Sequence, residues 1–203
     1  MEADGPTTFY GLLSSIVSAT ATLTVTSLDF EGLEPGDRPD ELRWEAGIGG
    51  EPVEGWVTVT GPGFGPMIFD TFCGGSSEGC SGGDGDPFQP DQGMALIISE
   101  DGASSDPDDS GAGGVVEFDF SHLRGGSVLV GYLVLIDAEE GGTAELWGDG
   151  ELLDVVIRDG ARDGEKAVRF VSEVSGVDFM RITLNGSGAI DDIGYPTAIH
   201  LTA

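Results

Sequence analysis

The sequence predicts an all-β protein, an antiparallel jelly-roll-like β-sandwich with long acidic Gly/Asp-rich loops. Three observations carry this. Short hydrophobic runs recur with the period-2 alternation of half-buried strands. No stretch of useful length shows helical periodicity with caps. The 35 glycines and 10 prolines punctuate those runs without a triplet period, which excludes collagen. With no helices between strands, the sheets are expected to be antiparallel and packed face to face. The 203 residues, 39% of them hydrophobic, suffice for one such domain with a real core.

The first element follows from charge and alternation together. From Gly5 to Leu28 there is no charged residue, in a chain that is otherwise 22% charged. Within that stretch Ala19, Ala21, Leu23 and Val25 alternate with Thr20, Thr22, Thr24 and Thr26, a strand signature. Residues 1–26 are read as an uncharged N-terminal tail and 27–203 as the sandwich domain. The apolar start also has the look of a signal peptide with Ala19-Thr20-Ala21 as its cleavage motif. Its leading Met1-Glu2-Ala3-Asp4 is acidic, however, where a leader needs positive charge. The tail either packs on its own sandwich or adds a strand to a neighbouring subunit. No other run approaches transmembrane length.

Further strands are expected at Asp29–Leu33 as a continuation of the first sheet, then at Trp56–Thr60, Met67–Phe69, Ala95–Ser99 and Val115–Phe120. After these come Val128–Asp137, Thr143–Gly148, Leu152–Arg158, Ala167–Ser172, Phe179–Asn185, Ala189–Tyr195 and a short Thr197–Thr202.

Charge narrows the function classes. The formal net charge is −29, from 37 acidic and 8 basic residues. Such a field repels nucleic acid and anionic lipid, so neither nucleic-acid binding nor membrane insertion is expected. It attracts cations. A salt-adapted surface is the plain alternative, but the imbalance is uneven: between Trp44 and Leu123 there is no Lys or Arg, while Asp and Glu occur throughout. A bound divalent cation would relieve that repulsion.

Two loop segments have calcium chemistry. One is Gly82-Gly83-Asp84-Gly85-Asp86-Pro87. The other runs from Glu100 and Asp101 to Asp106, Asp108 and Asp109. Calcium takes six to eight oxygens from carboxylates, carbonyls and water. Asp-x-Asp spacing supplies the first kind, and interleaved glycine lets the backbone curl to supply the second. Neither loop has the full EF-hand spacing, and plain solvated turns would have a similar composition. Acidic residues in strand contexts weigh more: Asp191 and Asp192 between Ile190 and Ile193, Glu31 after Phe30, and Asp137 after Ile136. An ionised carboxylate aimed into a sandwich is costly unless paired or metal-bound, and basic partners are scarce. Ca2+ is the expected cofactor.

Cys73 and Cys80 enclose six residues, three of them glycine, and are expected to form a loop disulfide in an oxidising, extracellular compartment. The only histidines, His122 and His200, show no zinc spacing to them.

Leu28-Asp29-Phe30-Glu31-Gly32-Leu33, paired with Gly188-Ala189-Ile190-Asp191-Asp192-Ile193, resembles jelly-roll domains of the carbohydrate-binding-module type. That resemblance implies a structural calcium shared by an early acidic residue and a late Asp. The segments 95–101, 106–109, 113–121 and 135–142 are similar to a family of secreted bacterial surface domains, over roughly Ser27 to Tyr195. This second resemblance implies an extracellular role, often as one module of a larger anchored protein, and carries no catalytic residues. The chain departs from it in ending at Ile199-His200-Leu201-Thr202-Ala203, with no sorting helix or basic tail.

Enzyme activity is not expected. There is no Gly-x-Ser-x-Gly elbow, and two histidines leave a triad little room. Two functions remain. The first is a structural subunit of a surface, filament or matrix assembly, a homopolymer joined by strand donation from the tail. The second is a calcium-dependent module that binds polysaccharide by stacking on Trp147 and Tyr132, residues that core or rim packing would equally explain.

Overall fold

The computed structural model describes residues 20–42, 56–83, 85–123, 125–158 and 166–202. The expected all-β architecture is what the structure shows. Its strands are β1 (Thr20–Leu28), β2 (Glu41–Leu42), β3 (Val57–Thr60), β4 (Pro66–Asp70), β5 (Met94–Ile98) and β6 (Gly114–Asp119). They continue as β7 (Val128–Ile136), β8 (Gly142–Gly148), β9 (Glu151–Arg158), β10 (Lys166–Val177), β11 (Phe179–Leu184) and β12 (Ala189–Thr202). Among the described residues the only helical elements are three single 3-10 turns, at Cys73–Gly75, Ser77–Gly79 and Ser81–Gly83.

The strands form two six-stranded antiparallel sheets. Sheet A has the order β10-β7-β12-β5-β4, with β1 also paired to β12, and sheet B the order β2-β3-β6-β11-β8-β9. From β5 onward the chain crosses between the sheets at every step except the β8–β9 hairpin. That hairpin turns on Asp149-Gly150, both at positive φ (52° and 78°), as a two-residue turn between right-twisted strands requires.

Sheet B buries one face. In β8 and β11 Ala144, Leu146, Met180, Ile182 and Leu184 enter the core between the sheets, and the residues between them face outward. Sheet A differs. In β4 and β5 the runs Met67-Ile68-Phe69 and Ala95-Leu96-Ile97 are buried without a break. Ile68 and Leu96 join the inter-sheet core. Met67, Phe69, Ala95 and Ile97 join a second apolar cluster with Val134, Ile136 and Ala189 on the opposite, outer face. The 71–93 segment covers that face: Cys73, Cys80 and Phe88 pack into the cluster, and the expected Cys73–Cys80 disulfide is formed. Thr71, fully buried, pins the cover by donating its hydroxyl within 2.9 Å of the Gln89 and Gly93 carbonyls.

Two expectations need correction. Asp29–Leu33 is a turn rather than a strand: the Leu33 amide bonds the Phe30 carbonyl, and Phe30 reaches the core from there. Its apolar alternation imitates a strand because the turn still buries every third residue. The last two expected strands are one, β12, running through Pro196. Strand β1 runs from Thr20 to Leu28, where the alternation of Ala, Leu and Val with Thr predicts a strand. The rest of the N-terminal tail and Trp44 lie outside the described residues, as does Asp84.

Phe118 is fully buried between the sheets, with its ring 6.4 Å from that of Phe120. Phe118→Ala is expected to destabilise the domain by about 3–5 kcal/mol through lost burial and a residual cavity. Leu152→Ala, at a site 47% exposed, is expected to change stability by about 0.5 kcal/mol or less. Urea denaturation followed by tryptophan fluorescence checks both.

Candidate functional site

Strand β12 organises the acidic residues. Ala189 and Ile190 are paired on both sides, with β7 and with β5. From Ile193 onward the partner on the β5 side is β1 instead. Asp191 and Asp192 occupy the interval where one neighbour ends and the other has yet to begin. There the register against β7 also shifts, and Asp192 takes φ of +43°. A bulge of this kind re-aims side chains and leaves backbone groups without ladder partners.

Side chains fill that notch. Asp191 is 1% exposed; its Oδ1 accepts the Asp192 amide at 2.8 Å, and its Oδ2 accepts the Gln92 side-chain amide. Glu31, on the turn after β1, accepts the Met94 amide at the start of β5, at 2.9 Å. Gly93 makes this fit possible: it sits at φ +74°, and a Cβ there would lie 2.1 Å from Glu31 Oε1. Burial pushes the Asp191 carboxyl up to about 7, opposed by the Gln92 hydrogen bond and reinforced by the charges of Asp192 and Glu31. The Tyr132 hydroxyl is raised as well, first by burial, against a hydrogen bond with Ser27, with Asp192, Asp191 and Asp29 adding to it. The early acid and the late Asp, far apart in sequence, thus share one electrostatic neighbourhood.

A second pair of carboxylates lies at the start of the same strand. Asp137 is 0% exposed and at φ +48°; Asp109 is 6% exposed. The Ser187 hydroxyl stands 2.8 Å from Asp109 Oδ2 and 3.0 Å from Asp137 Oδ2, and the Gly188 amide also bonds Asp109 Oδ2. A hydroxyl has one proton, so it donates to only one of the two carboxylates. Two buried carboxylates thus converge on one hydroxyl oxygen, an arrangement that a nearby positive charge would favour.

The acidic loops meet each other. The Gly82 amide bonds Asp106 Oδ1 at 2.7 Å, Ser81 donates to the Pro107 carbonyl, and a Cβ on Gly82 would collide with Asp108. Asp86, Glu100 and Asp101 are exposed. Asp101 has an ordinary turn role, accepting the Ala103 amide. Among the described residues no three His, Cys, Asp or Glu side chains are grouped so as to hold a metal ion. The all-oxygen set of Asp109, Asp137 and Ser187 has the donor chemistry of a hard cation but only two carboxylates, so calcium there needs carbonyls and water as well.

The two expected stacking residues are separated. Tyr132 packs against the covered outer face of sheet A, whereas Trp147 points outward from sheet B beside Phe179. They lie on opposite faces of the sandwich and cannot form one platform. Trp147 is half-buried, and its indole Nε1 has no hydrogen-bond partner. Next to it Arg181 bonds Glu117 at 2.7 Å, approaches Glu145 at 3.7 Å and lies over the Phe179 ring. Gln92, Ser187 and Thr71, which hold these sites together, had no sequence signal beyond being polar.

No protein-family model, no curated protein and no solved structure matches the chain. Among the described residues no helix is long and apolar enough to cross a membrane.

The raised Asp191 carboxyl makes stability depend on pH. The folded state keeps this proton up to about pH 7, whereas a free carboxyl loses it near 3.8. Stability contributed by the group is therefore present at the acid end and is lost as pH rises through 7, by roughly 4 kcal/mol. In buffer free of divalent ions, melting temperature should fall between pH 5 and pH 8. Asp191→Asn should flatten that slope and melt above the natural protein at pH 8. Parallel pH profiles for the two proteins would refute the assignment.

Proposed function

We propose that this chain is an extracellular, calcium-binding structural subunit of a surface, filament or matrix assembly, joined to its copies by strand donation from the uncharged N-terminal stretch. The observation that carries the calcium reading is the pair of buried carboxylates, Asp109 and Asp137, around the single hydroxyl of Ser187. Asp191, with Asp192 and Glu31 close by, supports a second position. Bound calcium would supply positive charge to these buried oxygens, and would tie the 99–110 loop to the start of β12. The Cys73–Cys80 disulfide is compatible with an oxidising compartment. The strand order supports the jelly-roll expectation, since β10-β7-β12-β5 faces β9-β8-β11-β6 with the chain alternating between them.

A calcium-dependent carbohydrate-binding domain is the second reading. What favours it is the open outer face of sheet B, where Trp147 and Phe179 lie in register beside the Arg181–Glu117 pair. A shallow depression of about 520 Å³ adjoins that pair, lined by Thr60, Gly61, Pro62, Val115, Glu117 and Arg181.

Thermal melting at pH 8 and fixed ionic strength, with calcium or with chelator, tests the metal. Calcium at a hundredfold excess over its Kd should stabilise by about 2.7 kcal/mol, a rise of roughly 5–10 °C for a domain of this size. Asp109→Asn/Asp137→Asn should lose most of that rise. A midpoint that does not respond to calcium in the natural protein would overturn the reading.

A further inference from the structure

A sheet edge is a row of unpaired backbone groups, and proteins that remain single blunt such edges with charges, prolines, bulges or a covering segment. The edges of this sandwich can be compared on that basis. Strand β2 is two residues long. Strand β4 is covered at Ile68, whose amide and carbonyl bond Asp37 and Gly36. Strand β9 carries an extra residue, Leu153, against β8, and the Asp154 carboxylate takes up the Val155 amide at 2.8 Å. Strand β10 shifts register twice against β7 and bears Lys166 and Arg169. Beyond Gly194, β12 has no partner on its β7 side among the described residues, and it contains Pro196.

Strand β1 has none of these devices. It is nine residues long, contains no charge or proline, and among the described residues pairs with β12 alone. The one irregularity in that pairing, between Thr22 and Thr24, skips two residues on β12 against one on β1, so the extra residue is on β12. Charge points to the same place. Two chains that each carry −29 repel wherever acidic surfaces meet, whereas Gly5–Leu28 and Ile193–Ala203 contain no Asp, Glu, Lys or Arg. Fifteen uncharged residues precede β1, more than its nine residues need to be matched.

We infer that the open edge of β1 is an acceptor, on which the uncharged N-terminal stretch of a second copy of this chain adds as a strand. The inference rests on the reading of the protein as an assembling subunit, and names the surface where copies join. Register specifies which backbone groups are offered. Val25 lies opposite Pro196, which has no amide proton, so this pair cannot exchange two ladder bonds. Val25 is then the residue whose N–H and C=O face the open edge, while Thr26, opposite Tyr195, bonds to β12.

Proline substitution separates the two directions in the full-length protein, with calcium present and sedimentation velocity as the readout. The natural protein should form polymers. Val25→Pro should reduce them at least tenfold with an unchanged melting temperature, and Thr26→Pro should instead lower the melting temperature. Removing residues 1–19 should leave a folded monomer. Val25→Pro polymers equal to those of the natural protein would overturn the acceptor edge, as would a Val25→Pro melting temperature that falls like that of Thr26→Pro. Polymers that persist without residues 1–19 would overturn the donor. A natural protein that stays monomeric at every concentration would overturn the assembly reading itself.

Discussion

Sheet A is apolar on both faces over β4, β5 and their neighbours, and much of the molecule follows from having to cover it twice. One face is covered by sheet B. The other would leave Met67, Phe69, Ala95 and Ile97 in water without the 71–93 segment. Burying a side chain of this size is worth roughly 1.5–3 kcal/mol, so the cover belongs to the core rather than to the surface. Its anchoring is correspondingly dense: a disulfide, Phe88, and a threonine hydroxyl directed at two carbonyls. A cover built this way ends at Gln92, Gly93 and Met94. Those three residues meet the acidic notch on β12, so coverage and the candidate site share one cause.

The notch itself arises from strand exchange. One edge of β12 is shared by β5 and β1, and neither reaches Asp191-Asp192 with ladder bonds. Backbone groups left there need partners. Glu31 and Asp191 meet part of that need, accepting the Met94 and Asp192 amides, and Gln92 in turn donates to the Asp191 carboxylate. This explains why polar residues are tolerated inside the sheet without settling their charge state. A carboxyl held near 7 is half ionised at neutral pH, so a proton would compete with any bound cation for the same oxygens. At Asp109 and Asp137 two carboxylates are buried around one hydroxyl.

The strands were legible because alternation and punctuation are local. Val128–Asp137 and Thr143–Gly148 are each within one residue of β7 and β8. The errors lie where local pattern and tertiary role part. Phe30 and Leu33 look like strand residues, but from a turn Phe30 is buried and Leu33 packs half-buried against the core. Pro196 looks like a stop, yet its missing amide costs nothing where no neighbour needs it. Glu41–Leu42 is too short to leave a pattern. The acidic residues that matter could be suspected from their apolar flanks. Their groupings could not, because Asp109 meets Ser187 across 78 residues and Gln92 meets Asp191 across 99. Among the loop acids, Asp109 reaches the strand acid Asp137 through Ser187. Asp101 serves its own turn, and Asp106 caps a neighbouring loop.

Charge and edges then bear on each other. A net charge of −29 works against self-association over most of the surface, which lowers the need to protect each edge separately. Protection is nevertheless present on β9, where a carboxylate takes up an amide of its own strand, and on β4, where a turn lies over the middle residue. Selective protection is informative because electrostatic repulsion alone would have made it unnecessary. An edge left open in the longest uncharged run of the chain is therefore a place where repulsion is weak and backbone bonding is available. Cations bound among the acidic residues would lower the repulsion further without touching that edge. In the proposed assembly, metal and strand pairing would act on different terms of one association free energy, the first reducing a long-range cost and the second supplying short-range bonds.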